Sequence, residues 1–266
     1  MIKLGVNSVL FRDYDFATAV QYIAECGYDG VEISAISGMC EHLELDRWQE
    51  QAAELKSIVA DAGVEFLSME EARLDEERLL VAFEAAAEIG IPVVNVGPGG
   101  KSGVEEDVAA TIDTLAKTAE RAEGFGVSLC VKAHVGAAIH DTPTTLRAME
   151  EIDSPAFGID MDPSHIHRAN ENPDEALPAV LSRVKHVHIR DCKGRGQGPG
   201  TPRDQACGRG DIDLFSYCKA MVDGGYDGPV CLEVIGAKDH ELPLVSIIAA
   251  ESYGYLNACL KALGGR

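Results

Sequence analysis

The chain of 266 residues carries 23 Lys and Arg against 44 Asp and Glu, a formal charge of −21. So acidic a molecule excludes an extended nucleic-acid or anionic-membrane interface, because each phosphate contact needs a cation. With 46% apolar residues and no long polar tract, the composition is that of a folded globular protein and not of a disordered one.

The length suits two small domains or one α/β barrel, which reaches about 250 residues as a single unit. The opening stretch MIKLGVNSVLFRD lacks a basic start followed by an apolar core. No window holds about 18 uninterrupted apolar residues. A cytoplasmic protein with no leader and no membrane contact is expected. The eight cysteines, at 26, 40, 130, 192, 207, 218, 231 and 259, show no CxxC spacing, so reduced and mostly buried thiols are expected.

In chain order, residues 2–7 read as a strand and 15–26 as a helix. Strand 30–34 and helix 47–62 follow, then strand 64–69 and helix 76–89. Strand 92–97 precedes helix 106–125, and strand 127–133 precedes helix 144–152. Strand 157–161 leads to helix 174–181, strand 184–189 to helix 214–223, and strand 230–234 to helix 244–263. The strands are almost continuously apolar and rich in β-branched residues, as strands buried on both faces are. The helices repeat apolar residues at i, i+3 and i+4. Several end in glycine, and Asp213 and Thr142 are the expected N-caps of two of them. Eight strand–helix units in succession predict an α/β fold, a parallel (β/α)8 TIM barrel forming one domain over 1–266. The absence of GxGxxG after the first strand weighs against a doubly wound dinucleotide-binding sheet.

The stretch 191–210, DCKGRGQGPGTPRDQACGRG, breaks this rhythm. A loop this long after the seventh strand predicts a lid or substrate loop, with Arg195, Arg203 and Arg209 as local positive charge. Phe11 in the first loop is a candidate sugar-stacking wall. His140 and His167 read as loop surface residues.

Side chains at the C-terminal ends of barrel strands converge on one pocket. Those ends carry Glu32, Glu70, Asn95, Lys132, His134, Asp160, Asp162, His165, His186, His188, Asp191 and Glu233. Asp162, His188 and Glu233 come from three different strands and have the chemistry of divalent-metal ligands. The same residue types also serve as salt bridges and caps, so the residues alone leave both readings open. Glu32 and Asn95 read as groups orienting a substrate in the mouth.

Four segments carry a family resemblance: Gly27-Tyr28-Asp29-Gly30-Val31-Glu32; Asp162-Pro163-Ser164-His165; His186-Val187-His188-Ile189-Arg190-Asp191; and the run from Gly208-Arg209-Gly210-Asp211-Ile212-Asp213 through Gly225-Tyr226-Asp227-Gly228 to Leu232-Glu233. In order and distance they resemble the xylose-isomerase-like TIM-barrel superfamily of sugar isomerases and epimerases over nearly the whole chain. The resemblance implies one divalent ion, foremost Mn²⁺ but also Mg²⁺, Co²⁺ or Zn²⁺, on Asp162, His188 and Glu233. It implies substrate contacts from His165 and Arg190, and a homodimer or homotetramer.

Strand five departs from the pattern. Lys132 stands where the family has a glutamate ligand, and an ammonium cannot ligate a metal. Two outcomes are open: His134, two residues on, supplies the fourth ligand, or the ion keeps an open position. Beside a cation Lys132 is expected to have a lowered pKa and to act as a general acid or base. If it pairs with Glu70 or Asp160 instead, the metal is absent.

The expected activity is isomerisation or epimerisation of a keto-sugar through an enediolate. Glu233 serves as ligand and base, and Lys132 or His134 as its partner. The alternatives are a lyase or hydrolase acting on 3-keto-glycosides, a keto-inositol dehydratase, and a non-catalytic sugar-binding barrel. The superfamily's abasic-site endonuclease is disfavoured, because Pro202-Arg203-Asp204 replaces its Asp-x-His pair.

Overall fold

A computed structural model describes residues 1–196 and 198–266. Gln197, within the expected 191–210 loop, lies outside the described residues. Among the described residues nine strands form one sheet: β1 (Lys3–Asn7), β2 (Gly30–Ile36), β3 (Cys40–Glu41), β4 (Glu65–Ala72), β5 (Val93–Val96), β6 (Ser128–Lys132), β7 (Phe157–Asp160), β8 (Val184–Ile189) and β9 (Pro229–Leu232). Eight are parallel neighbours in chain order, and β1 pairs with both β2 and β9, so the sheet closes into a barrel. The ninth, β3, is a two-residue antiparallel addition to β2 and was not expected.

The surrounding helices are α1 (Phe16–Glu25), α2 (Trp48–Asp61), α3 (Glu76–Ile89), α4 (Glu105–Gly124), α5 (Thr142–Glu151), α6 (Pro163–Arg168), α7 (Pro173–Val180), α8 (Leu214–Asp223) and α9 (Leu242–Leu263). The helices surround the sheet, and one continuous core joins the two layers. Asp213 caps α8 by accepting from Ser216 N at 2.9 Å. Thr142 is not the cap of α5. Asp141 takes that role, accepting from Thr144 N at 2.9 Å, and Thr142 is the first helical residue. A carboxylate reaches the free N–H of the first turn, while Thr142 is engaged by Glu171.

Phe11 is fully buried in a short 3-10 turn whose four residues all face the core, so it walls no pocket. His167 is likewise buried, on α6. None of the eight thiols is in a disulfide, and seven are buried. Among the described residues no helix is long and apolar enough to cross a membrane.

One local distortion aims the site. The β4–β5 register shifts between Glu70 and Ala72, and Ala72 takes φ = 72°. Such a bulge re-aims side chains. Here Glu70 faces the barrel axis, while Glu71 turns to Arg78, whose Nε donates to its Oε1 at 2.6 Å.

Candidate functional site

Residues two apart on a strand share a face, so the inward positions stack in layers inside the barrel. In the lower layer, Ser68 Oγ lies 2.8 Å from His186 Nε2 and 3.9 Å from Cys231 Sγ. His186 Nδ1 is 2.9 Å from Asp160 Oδ1. Two residues further along the same strands come Glu70, His188 and Glu233.

Glu32 organises the floor. Its Oε2 accepts from Asn7 Nδ2 at 3.0 Å, and its Oε1 from Asn95 Nδ2 at 2.6 Å. His188 is sandwiched between carboxylates, with Nε2 2.5 Å from Glu32 Oε2 and Nδ1 2.6 Å from Asp160 Oδ2. Burial opposes its protonation. Asp160 and Glu32 outweigh burial and raise its pKa well above 6.5.

Two cations stand above this floor. Lys132 Nζ donates to Glu70 Oε1 at 3.1 Å and to Glu233 Oε1 at 2.9 Å. Arg190 Nη2 donates to Asp162 Oδ2 at 3.0 Å, and its Nε to Ser164 Oγ at 2.8 Å. Arg190 Nη1 lies 3.1 Å from the other oxygen of Glu233. Neither atom of that contact has an aligned hydrogen bond, though both are buried.

These contacts set the electrostatics. Burial lowers the Lys132 pKa, but Glu233 and Glu70 more than reverse it, and the net shift is upward. In this arrangement the two carboxylates hold Lys132 charged. Burial would raise Glu233, yet Arg190 and Lys132 hold its carboxyl well below the usual range. Glu70 is pushed up to about 7, chiefly by burial and only partly offset by Lys132.

His165 lies 4.1 Å from His134, ring centre to ring centre. Its Nδ1 accepts from Val135 N at 3.2 Å, and its Nε2 lies 2.9 Å from Arg190 Nη2. Burial, Arg190 and His134 keep this ring neutral. One of its two nitrogens carries the ring proton, so only one of these contacts is a hydrogen bond.

A cavity of about 260 Å³ opens over the layer and is lined by Glu70, Lys132, His134, His165, Arg168, Arg190 and Glu233. Ile36, Met39 and Ile235 supply apolar wall, and Pro199 of the 191–210 loop also reaches it. Five sequence-predicted residues thus meet there: Lys132, His134, His165, Arg190 and Glu233. The other four, Glu32, Asn95, Asp162 and His188, are fully buried and are not among the lining residues. Glu70 entered the sequence reading only as a strand-end carboxylate. The Ser68–Glu70 alternation was the available signal for its place on the wall. The loop arginines are engaged elsewhere: Arg195 Nη2 donates to Asn172 Oδ1 at 2.8 Å, and Arg209 Nε to Glu251 at 2.8 Å.

Among the described residues, three groups of buried donors have ligand atoms within 4.8 Å of one another and could hold a metal ion: Glu32, His186 and Cys231; Asp160, His186 and His188; and Glu32, Glu70 and His188. None is the set implied by resemblance. Asp162, His188 and Glu233 are parted by their partners: both nitrogens of His188 face carboxylates, and Arg190 spans Asp162 and Glu233. His134 turns its Nδ1 to Val135 O at 3.1 Å. Lys132 in place of a glutamate ligand removes a donor and adds a like charge beside such an ion. The donor set does not fit an ion at the position the resemblance implies.

Known proteins place the chain. It is 24% identical to an uncharacterised protein of Methanocaldococcus jannaschii, over 90% of this chain and 85% of that one. It is 26% identical to an inosose dehydratase of Clostridium perfringens, a match spanning 56% of this chain and about half, 54%, of the relative. The crystal structure of a D-allulose 3-epimerase from Methylomonas sp. superposes with a TM-score of 0.77 at 16% identity, covering 97% and 98% of the two chains, and so shares the fold. The family model described as xylose isomerase-like TIM barrel matches residues 20–251, and the chain belongs to that family.

Proposed function

We propose that the chain is an enzyme that removes the proton α to the carbonyl of a small keto-sugar and returns it to give an isomer or epimer. The Glu70–Lys132–Glu233 bridge on the cavity wall carries this reading. Two carboxylates held apart by one ammonium give a base on either side of a bound carbon.

In this reading one carboxylate takes the α proton, and the C–H electron pair moves to the carbonyl oxygen to form an enediolate. Return of a proton to the opposite face of that carbon gives the epimer, and to the neighbouring carbon the isomer. His134 and His165 bind substrate hydroxyls, while Glu32 and Asn95 hold the floor on which the carboxylates stand. The divalent ion expected from resemblance enters no step, because Lys132 stands in the place of one ligand and Arg190 lies against two others, Asp162 and Glu233.

The inosose dehydratase match supports a second reading of the same first step. The enediolate expels a β-hydroxyl, which gains a proton and leaves as water, giving an unsaturated ketone.

Proton NMR in D₂O tests both. Free ketoses, 3-keto-glycosides and keto-inositols are incubated with the protein. Loss of an α-proton signal is expected for one class, with the product separating epimer from enone. Absence of exchange in every class would overturn the enzymatic reading in favour of a sugar-binding barrel.

A further inference from the structure

We propose that Lys132 and Arg190 together form a metal-free oxyanion site, supplying from the protein the positive charge that an enediolate oxygen needs. The inference rests on the α-proton chemistry above. It goes further in naming which groups hold the developing charge.

Three observations carry it. First, the two oxygens of Glu233 each face a different cation, Lys132 Nζ at 2.9 Å and Arg190 Nη1 at 3.1 Å. Glu233 therefore tethers both the ammonium and the guanidinium at the cavity wall. Second, both cations line the cavity although their side chains are only 5% and 2% exposed. They are charges held in a low-dielectric wall, where a hydrogen bond to an anion is strengthened. Third, the contact of Arg190 Nη1 with Glu233 Oε2 at 3.1 Å has no aligned hydrogen bond, so it is the loosest tie of the guanidinium and the one an incoming oxygen would replace. Lys132 adds to this, since an ammonium has three donors and two are given to Glu70 and Glu233.

The remaining contacts of Arg190 fix its plane. Nε is held by Ser164 Oγ and Nη2 by Asp162 Oδ2, so Nη1 is held toward Glu233 at the cavity wall. Asp162 thus acts as a positioning residue for the guanidinium. The ligand class is an oxygen that becomes negative during reaction, the carbonyl oxygen of an α-hydroxyketone. When the α proton leaves, the oxygen gains the electron pair, and the two N–H groups share its charge without proton loss from either cation.

The first test needs no substrate. The protein is dialysed against EDTA and titrated with Mn²⁺, with free ion followed by electron paramagnetic resonance. The wild type is expected to show no site tighter than about 0.1 mM. One Mn²⁺ per chain bound more tightly than that, and lost in Asp162→Asn, would overturn the proposal. Lys132→Glu is titrated alongside. If it folds, a gain of Mn²⁺ affinity is expected, and unchanged weak binding in both proteins also agrees with the proposal through the wild-type result.

Once a substrate is found, α-deuterium exchange by the wild type is expected to be insensitive to EDTA. Exchange in Lys132→Met and Arg190→Met is expected to fall by about 10²–10³-fold. Exchange abolished by EDTA and restored by Mn²⁺ would overturn the assignment while leaving the α-proton chemistry intact. If no keto-sugar exchanges, the enzymatic reading fails on its own, and the Mn²⁺ titration still decides the metal question.

Discussion

Gly210 lies against Asp191 so closely that a β-carbon on it would stand 2.2 Å from Asp191 Oδ1 and 2.4 Å from the Cys192 carbonyl. The Asp191 carboxylate accepts from the backbone N–H of Cys192 at 2.9 Å, Gly208 at 3.0 Å and Ile212 at 3.2 Å. One side chain thus closes both ends of the loop that brings Pro199 to the cavity. Gly210→Ala is expected to destabilise by about 1–3 kcal/mol through overpacking. Asp191→Ala, which strands three backbone donors, is expected to cost on the order of 3 kcal/mol. Urea denaturation gives the magnitudes. Limited proteolysis is expected to cut first within 191–210 in both variants, and a first cut elsewhere would count against this account.

Glu32 and Glu70 are expected to fail differently when altered. Glu32→Ala leaves Asn95 Nδ2 and His188 Nε2 facing an empty place and takes one of the two acceptors of Asn7 Nδ2, a loss on the order of 3–5 kcal/mol in stability. Glu70→Gln keeps the shape of the cavity wall but removes one carboxylate partner of Lys132, and is expected to lower kcat by about 10²–10⁴-fold with a smaller loss of stability than Glu32→Ala. Thermal unfolding and kinetics on both proteins separate a floor residue from a wall residue. Equal loss of stability in the two would erase that distinction.

The cap of α8 supplies a pH test away from the site. Hydrogen bonds from the Ser216 backbone and hydroxyl lower the Asp213 pKa below 3.8. A lowered carboxyl contributes stability above its unfolded value and loses it as pH falls through the folded value. Asp213→Ala is expected to cost about 1 kcal/mol at neutral pH. Asp213→Asn retains most of the cap, and its deficit relative to wild type is expected to shrink below pH 4. Urea midpoints between pH 3 and 7 would show a constant deficit if the charge were irrelevant.

Thiol chemistry offers a check on the core. Cys26 alone among the eight cysteines is not fully buried. A disulfide reagent is expected to label about one thiol quickly in the native protein and the rest only after unfolding. Cys26→Ser should remove the fast phase. Several fast thiols in that variant would mean that the barrel opens more readily than its packing implies.

The barrel was legible because its punctuation is local. Strand 184–189 and helices 76–89 and 214–223 fall where expected to the residue, the two helices being capped by Asp75 and Asp213. Thr142 misled because a carboxylate one residue earlier out-competes a hydroxyl for the free N–H groups. The six-residue α6 is too short for a periodic signal, and β3 exists only through its pairing with β2. The site was legible as a set of strand ends and not as a set of partners. Lys132 and Glu233 are 101 residues apart, and nothing local says that the lysine reaches that carboxylate. The sandwich of His188 between Glu32 and Asp160 likewise needs three strands closed around one axis.

The ion pairs of the cavity wall are almost wholly buried, whereas the net charge of −21 is felt at a distance. Dissolved salt screens the second within about 10 Å at 0.1 M and hardly touches the first. Ionic strength therefore becomes a reporter on the substrate itself. A phosphorylated keto-sugar must climb a repulsive field to reach the mouth, so its kcat/KM rises with added salt. A neutral one arrives by diffusion alone and is indifferent to it.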